Sequence, residues 1–185
     1  MTNRGQWVAV GAVLLAIGGV LGAGLALSGD LAPVSVGRKA PAFRAPDLAT
    51  GDTVGLGRFT GDVVLLNIWA TWCGPCEQEM PSMERLHQEL RPEGLKVVAV
   101  SIDEGDAEGV RRWVADRKLT FQVLWNRSGD IQRIYQTTGV PESFVIDRHG
   151  VIVKKVIGAT EWDHPAQKAL FRHLLAERDG AKGGG

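Results

Sequence analysis

The apolar residues of this chain fall into runs whose lengths predict its elements. Residues 63–69 are apolar apart from Asn67, and a run that is too short for a helix is typical of a strand buried on both faces. An amphipathic run over residues 77–90 follows, and Pro75 just before it suits the first turn of a helix. This pattern predicts a buried strand, a short turn and an amphipathic helix in direct succession.

The rest of the chain alternates in the same way between strand-like and helix-like runs. The predicted elements are a strand at 96–102, a helix at 106–117, a strand at 121–125, a short helix from 130, strands at 143–147 and 151–157, and a last helix after 163. Such alternation predicts an α/β fold with a parallel sheet and right-handed crossovers, ending in an antiparallel pair around the tight turn Arg148-His149-Gly150. Ahead of this body, residues 40–56 predict a small β-hairpin, because turn residues at 50–52 separate two extended stretches.

The N-terminal part differs from the rest because it carries no charge over a long stretch. Residues 7–27 are 21 consecutive uncharged positions. As a helix they would extend about 31 Å, close to the roughly 30 Å of a hydrocarbon core. The sequence therefore predicts a short N-terminal segment at 1–6 and a transmembrane helix at 7–27, with a cleaved signal sequence as the alternative. After it we expect a tether at 28–39, one domain at 40–177 and a disordered tail at 178–185.

Composition adds two exclusions to this outline. The 185 residues contain 21 Lys and Arg against 21 Asp and Glu, so no excess of charge indicates nucleic acid as a partner. The two cysteines, Cys73 and Cys76, lie in one motif, which leaves none for a structural disulfide. The domain at 40–177 is long enough to bury a core without such a cross-link.

Both cysteines belong to the stretch Trp72-Cys73-Gly74-Pro75-Cys76, between the predicted strand and the predicted helix. Cys73 would then lie at the helix N-terminus, where unpaired backbone N–H groups favour the thiolate that attacks disulfides. Cys76, one turn deeper, could displace the mixed disulfide that results. Zinc binding would require two further ligands, and the four histidines show no ligand spacing. The motif therefore predicts a redox-active disulfide between Cys73 and Cys76 that needs neither a metal nor a cofactor.

The motif resembles the active site of thioredoxins at every position. Two further stretches, Glu79-Met80-Pro81 and Gly139-Val140-Pro141-Glu142-Ser143-Phe144-Val145-Ile146-Asp147, are similar to those of the TlpA/ResA/CcmG branch, a family of membrane-anchored thiol-disulfide oxidoreductases. The resemblance covers residues 37–177. It implies a thioredoxin-like fold that carries an N-terminal β-hairpin and an inserted αβ unit, preceded by one transmembrane helix.

The same resemblance implies roles for residues around the two cysteines. Pro141 is implied to be the cis-proline beside the disulfide and part of the catalytic centre, a position at which Val140 would pair with a substrate peptide. The implied client-contacting residues are Trp72, Gly74, Pro75, Val140 and Glu142.

Glu79 is the remaining candidate for catalysis. It lies three residues after Cys76 and therefore on the same helix face, which continues into the core. A carboxyl group there would be partly buried beside the inner thiol, whereas the alternative is a solvated helix charge. In the resembled family this position carries a glutamate that handles the proton of the inner cysteine. Thioredoxins use an aspartate for the same purpose, and the position of that aspartate is occupied by Asn67 here. Asn67 cannot carry a proton, so the sequence leaves Glu79 as the proton carrier.

The function implied is that of a membrane-tethered protein-disulfide reductase whose domain faces the periplasm or extracytoplasmic space. It would pass two electrons from a membrane thiol donor to disulfides in extracytoplasmic proteins, with apocytochrome c as a candidate client. A disulfide-introducing oxidant is the alternative within this class, because the direction depends on the reduction potential. Two other classes match less well. Sco-like copper metallochaperones space their cysteines by three residues, and peroxiredoxin-like peroxidases have Pro and Thr where this chain has Leu66 and Ala70.

Overall fold

The computed structural model describes residues 4–27 and 33–177, and the chain divides into two units between Pro33 and Val34. The first unit contains helix α1, Arg4–Leu27, along which Trp7 and Leu15 are among the exposed apolar side chains. Among the described residues, no helix is both long enough and apolar enough to cross a membrane, so the span predicted at 7–27 is not confirmed. The tail predicted at 178–185 and the start of the predicted tether lie outside the described residues.

The second unit begins at Val34, ahead of the start predicted for the domain. Part of the predicted tether pairs with strand β7, Ile152–Ile157. The N–H of Gly37 donates to the carbonyl of Ile152 at 2.8 Å, and the N–H of Ile152 donates to the carbonyl of Arg38 at 2.9 Å. Residues 37–39 therefore belong to the folded body rather than to a tether.

A two-stranded antiparallel hairpin precedes the main sheet, as predicted. Its strands are β1, Arg44–Pro46, and β2, Thr53–Gly55. Asp47 shapes the connection, because its side chain accepts a hydrogen bond from the backbone N–H of Ala49 at 2.8 Å. Gly51 has a φ of +79°, in the left-handed region that favours glycine.

The main sheet has five strands in the order β5-β4-β3-β6-β7. Its other strands are β3 (Val63–Trp69), β4 (Leu95–Ser101), β5 (Gln122–Trp125) and β6 (Glu142–Ile146). β3, β4 and β5 run parallel, whereas β6 is antiparallel to β3 and β7 is antiparallel to β6. The parallel half of the sheet and its antiparallel end were both predicted from the alternation of apolar runs.

The α-helices of the second unit, within its described residues, are α2 (Gly74–Leu90), α3 (Ala107–Asp116), α4 (Asp130–Ile134) and α5 (Pro165–Ala176). α3 begins after Asp106, whose side chain accepts a hydrogen bond from the N–H of Gly109 at 2.6 Å and so caps the helix. Together, α3, β5 and α4 form the inserted segment between β4 and Pro141 that the resemblance implies.

β3 lies at the centre of the core, because every one of its residues is buried. Burial of a large aliphatic side chain such as Leu65 or Leu66 contributes roughly 1.5–3 kcal/mol, so this strand fixes the sheet strongly. β3 and β4 run parallel, with Trp69 paired opposite Ser101, so their carboxyl ends meet at one edge of the sheet. The turn that carries Cys73 follows β3 at this edge.

Candidate active site

The two cysteines form a disulfide at the start of α2. Their Cα atoms are 5.2 Å apart, and both residues are buried, Cys76 completely and Cys73 with 6% of its surface exposed. The chain leaves β3 at Trp69, makes a short turn and enters α2 with Pro75 in the first helical turn, where a missing N–H is tolerated. Cys73 is therefore the N-cap residue of α2, which confirms its predicted place at the helix N-terminus.

The sulfur of Cys73 lies between two backbone groups of opposite polarity. The N–H of Cys76 donates to Sγ of Cys73 at 3.1 Å, and the carbonyl oxygen of Val140 lies 3.4 Å from the same sulfur. In the disulfide this sulfur has no proton, so the second distance is a van der Waals contact. In the dithiol the N–H at the helix N-terminus favours the thiolate of Cys73, which is the form that attacks disulfides.

Four of the residues predicted to contact a client lie around this sulfur. The peptide bond between Val140 and Pro141 is cis, which confirms the geometry implied by the resemblance. Pro141 is buried and Val140 is partly exposed. Trp72 has 68% of its surface exposed, and Gly74 and Pro75 are exposed as well. Their contact with a client stays a prediction.

Glu142 is placed differently from the other residues predicted to contact a client. It is fully buried in β6, with one carboxylate oxygen 2.7 Å from Nζ of Lys155 and the other accepting from the N–H of Thr138 at 3.3 Å. Lys155 reaches it because β6 and β7 pair antiparallel and bring nearby side chains to one face of the sheet. Glu142 therefore lies inside the domain, where a client does not reach it while this ion pair is in place.

Glu79 is a buried carboxyl group that accepts hydrogen bonds from three donors. Only 2% of its surface is exposed. Its Oε1 accepts a hydrogen bond from Nδ2 of Asn67 at 2.8 Å. Its Oε2 accepts hydrogen bonds from the backbone N–H of Thr160 and from Nε1 of Trp162, at 3.2 Å each. Burial raises the pKa of Glu79 to about 7, although the three hydrogen bonds favour the carboxylate and act in the opposite direction. The expected burial is confirmed, and the alternative of a solvated helix charge is wrong.

Glu79 also has a connection to the surface. It lines a pocket of about 320 Å³ together with Gln78, Ser82, Arg85 and Glu161. A carboxyl group with a pKa of about 7 exchanges protons readily near neutral pH. The position therefore combines burial in the core with a place on the wall of a pocket at the surface.

Asn67 has a role that the sequence did not indicate. Its Nδ2 donates to Oε1 of Glu79 and to Oγ of Ser143, both at 2.8 Å, while its own Oδ1 is buried and has no hydrogen-bond partner. A half-turn of this amide would bring Oδ1 to Glu79, where it can accept a hydrogen bond from the protonated carboxyl group. Asn67 therefore suits both protonation states of Glu79.

Side chains from distant parts of the chain complete the site. Trp162 reaches Glu79 from the segment between β7 and α5, and Asp103 holds Thr71 from the end of β4. Neither contact was predicted. A carboxylate just beyond the end of a strand that runs parallel to β3 is a signal that could have indicated Asp103, whereas the sequence carries no such signal for Trp162.

The fold and the site together define a class of protein. A Cys-x-x-Cys disulfide at a helix N-terminus, beside a cis-proline and on a sheet of this topology, is the arrangement of thioredoxin-like thiol-disulfide oxidoreductases. In the described ranges, no group of three or more His, Cys, Asp or Glu residues is arranged to hold a metal ion.

Comparison with known proteins identifies the family. The model of the AhpC/TSA family matches residues 36–155, and the chain belongs to this family. Thiol-disulfide oxidoreductase ResA of Bacillus thuringiensis subsp. konkukian is 36% identical over 125 residues, which are 68% of this chain and 71% of the relative. Thiol-disulfide oxidoreductase ResA of Bacillus anthracis is 34% identical over 148 residues, which are 79% of this chain and 84% of the relative.

A solved structure agrees with these relatives. A Chlorobium tepidum protein assigned as thiol:disulfide interchange protein DsbE has a TM-score of 0.66 and 35% identity to this chain. The match covers 77% of this chain and 97% of that one. The family, these relatives and the Cys73–Cys76 disulfide together make this protein a thiol-disulfide oxidoreductase.

Proposed function

We propose that the protein reduces disulfide bonds in extracytoplasmic client proteins. The observation that carries this proposal is the position of the Cys73–Cys76 disulfide at the N-terminus of α2, with Sγ of Cys73 3.4 Å from the carbonyl oxygen of Val140. A client strand that passes over Val140 would bring its disulfide to the sulfur of Cys73.

The reaction takes two exchange steps. The thiolate of Cys73 attacks one sulfur of the client disulfide, a Cys73–client bond forms, and the other client sulfur leaves as a thiolate that takes up a proton. Glu79 then accepts the proton of Cys76, whose thiolate attacks Sγ of Cys73 and releases the second client thiolate. Two electrons pass to the client and the Cys73–Cys76 disulfide forms. A membrane thiol donor would reduce it again.

The surroundings of Cys73 favour a reductant over an oxidant. Strong oxidants of this class owe their potential to a stabilised reduced form, in which the thiolate is strongly favoured. In the described residues, the hydrogen-bond donor to Sγ of Cys73 is the N–H of Cys76, and the other polar group in contact with this sulfur, the carbonyl oxygen of Val140, cannot donate to a thiolate. A thiolate with such modest stabilisation is a ready electron donor.

We expect the reduction potential of the Cys73/Cys76 couple to lie near that of thioredoxin, about −270 mV, because the thiolate has little stabilisation. The measurement is equilibration of the soluble body, from Val34 onward, with dithiothreitol and glutathione buffers. A value near about −120 mV, that of a strong oxidant, would reverse the proposed direction of electron flow.

The client surface is proposed to extend from Val140 across Trp72. Beside Trp72 lies a cleft of about 620 Å³, which Asp103 and Glu104 also line. This volume accommodates side chains that flank a client cysteine. Apocytochrome c is the candidate client, on the resemblance of the segment containing Pro141 and Glu142 to the TlpA/ResA/CcmG branch.

Residues 7–27 are proposed to anchor the protein in a membrane, with the catalytic domain on the extracytoplasmic side. The support is the stretch of 21 uncharged residues and the roughly 30 Å of hydrocarbon that such a helix spans. We expect the full chain to stay in the membrane fraction after an alkaline carbonate wash. Recovery of a mature soluble protein that begins near Gly29 would show instead that the segment is a cleaved signal.

A further inference from the structure

A buried carboxylate holds the turn that leads into the active-site helix. Asp103 is 7% exposed and lies two residues after the end of β4 at Ser101. Its Oδ1 accepts a hydrogen bond from the hydroxyl of Thr71 at 2.5 Å, and its Oδ2 accepts one from the hydroxyl of Ser101 at 2.7 Å. The backbone N–H of Thr71 also donates to this carboxylate, at 3.1 Å from Oδ2 and 3.2 Å from Oδ1. Thr71 lies two positions before Cys73, so these hydrogen bonds attach Asp103 to the turn between β3 and the attacking cysteine.

Asp103 is itself fixed by its neighbours. Its N–H donates to the hydroxyl of Ser101 at 3.1 Å, and its carbonyl oxygen accepts from Nε1 of Trp125 at 2.8 Å. The next residue towards the strand, Ile102, donates its N–H to the carbonyl of Trp69 at 2.9 Å. Hydrogen bonds of Asp103 and its neighbour Ile102 therefore connect the ends of β3, β4 and β5.

We propose that Asp103 is a positioning residue for the exchange reaction, holding the turn so that Cys73 stays beside Cys76 when the disulfide between them is open. In the oxidised protein the S–S bond itself ties Cys73 to α2. In the dithiol and in the mixed disulfide that covalent tie is absent, and the hydrogen bonds from Thr71 to Asp103 restrict the turn in its place.

This restraint acts on the resolving step. Cys76 attacks Sγ of Cys73, the Cys73–Cys76 bond forms, and the client thiolate leaves and takes up a proton. The rate and the equilibrium of this step depend on the effective concentration of one sulfur at the other, which a loose turn lowers. A variant with a loose turn therefore holds mixed disulfides longer and has a disulfide that is easier to reduce.

The test compares Asp103→Asn with Thr71→Val, which removes only the hydroxyl, and uses Thr71→Ser as the matched control that keeps it. The aromatic disulfide dithiobis(nitrobenzoate) serves as the probe. Attack by Cys73 releases one coloured thionitrobenzoate thiolate and leaves a mixed disulfide, and the second coloured thiolate is released when Cys76 attacks that mixed disulfide. We expect both variants to slow this second release by about tenfold to a hundredfold, the range for losing a hydrogen bond to a charged group. The equilibrium constant with glutathione should shift by a similar factor towards the dithiol, about 30 mV for a tenfold change. Thr71→Ser should behave like the parent.

Positioning is distinguished from a simple effect of charge by the pair of variants. Asp103→Asn also removes a negative charge near Cys73, which by itself would lower the pKa of the Cys73 thiol. Thr71→Val leaves that charge in place. If Asp103 acts by holding Thr71, the effects of the two changes in the double variant should be less than additive, because both changes weaken the same contact.

Two results would overturn the proposal. One is a Thr71→Val protein that releases the second thiolate at the parental rate and has the parental equilibrium constant with glutathione. The other is a set of variants whose denaturant midpoints fall while the rate of the second release and the equilibrium constant with glutathione do not change. This result would make the contact between Thr71 and Asp103 purely structural. If Asp103→Asn does not fold, Thr71→Val decides the matter alone. The proposal rests on exchange through Cys73 and Cys76 but not on the direction of electron flow, and the potential of the parent protein separates the two questions.

Discussion

A Cys76→Ser protein is expected to capture client proteins and to keep them. Cys73 caps α2 and attacks the client, whereas Cys76 is fully buried and acts only from inside. Without the inner thiol, the bond between Cys73 and the client is not displaced, so turnover should fall to background. Mixed disulfides should accumulate and be visible as reducible adducts on electrophoresis and by mass spectrometry.

The matched control is Cys73→Ser, which removes the outer sulfur and keeps the inner one. This variant should lack turnover and should form no adducts, because Cys76 is shielded from solvent. If Cys73→Ser collects the same adducts as Cys76→Ser, the roles of the two sulfurs are reversed and the proposed order of steps is wrong.

Replacing Glu79 with glutamine is expected to slow client reduction roughly 10- to 100-fold. This is at or below the lower end of the range for general acid–base catalysis, because a thiolate is already a good nucleophile. Glutamine has nearly the same shape, and a half-turn of Asn67 lets Oδ1 of that residue accept from the new amide. In the parent, carboxylate is available to accept the Cys76 proton only as the pH rises through about 7, so the rate should rise there. In Glu79→Gln this rise should be absent.

The measurement is the rate of the resolving step between pH 5 and pH 9. Glu89→Gln is a suitable control, because Glu89 lies on the same helix at the surface, where it pairs with Lys168 and Arg172. Parental rates for Glu79→Gln across this range would leave the proton of Cys76 to water and would remove Glu79 from the mechanism.

The same variant has a consequence for stability, whose sign follows from the pKa of Glu79. Burial raises this pKa from 4.5 to about 7, so the folded protein binds the proton more tightly than the unfolded chain does. Parental stability should therefore fall as the pH rises from about 4.5 to about 7, by an amount on the order of 3 kcal/mol. Chemical denaturation of Glu79→Gln should show that this fall is missing. An unchanged pH profile would mean that Glu79 titrates near its ordinary value.

Much of the fold could be predicted because it depends on short-range pattern. The seven-residue apolar run at 63–69 predicts a buried strand, because it is too short for a helix. In the helix that follows, the buried residues recur three and four positions apart, which is the helical pattern. The same spacing put Glu79 on the face of Cys76 and so predicted its burial. The cysteine motif fixed the chemistry, because a helix N-terminus is a local feature.

The remaining parts of the site depend on contacts between residues far apart in the sequence. Thr160 and Trp162 reach Glu79 across about eighty residues, and no periodicity records that pairing. Glu142 was expected at the client surface by resemblance, but it is fully buried in β6, where its carboxylate lies beside Lys155 of the neighbouring strand. The role of Asp103 follows from strand order, which places the ends of β3 and β4 side by side.

The pairing of residues 37–39 with β7 protects the sheet against aggregation. β7 is the last strand of the sheet, and an open edge strand offers unpaired N–H and C=O groups to other chains. Gly37 and Arg38 occupy such groups on Ile152, and Lys154 and Lys155 add charge further along the strand. A fragment cut at Ala40 would lose this cover, so we expect it to self-associate more readily than a fragment that begins at Val34.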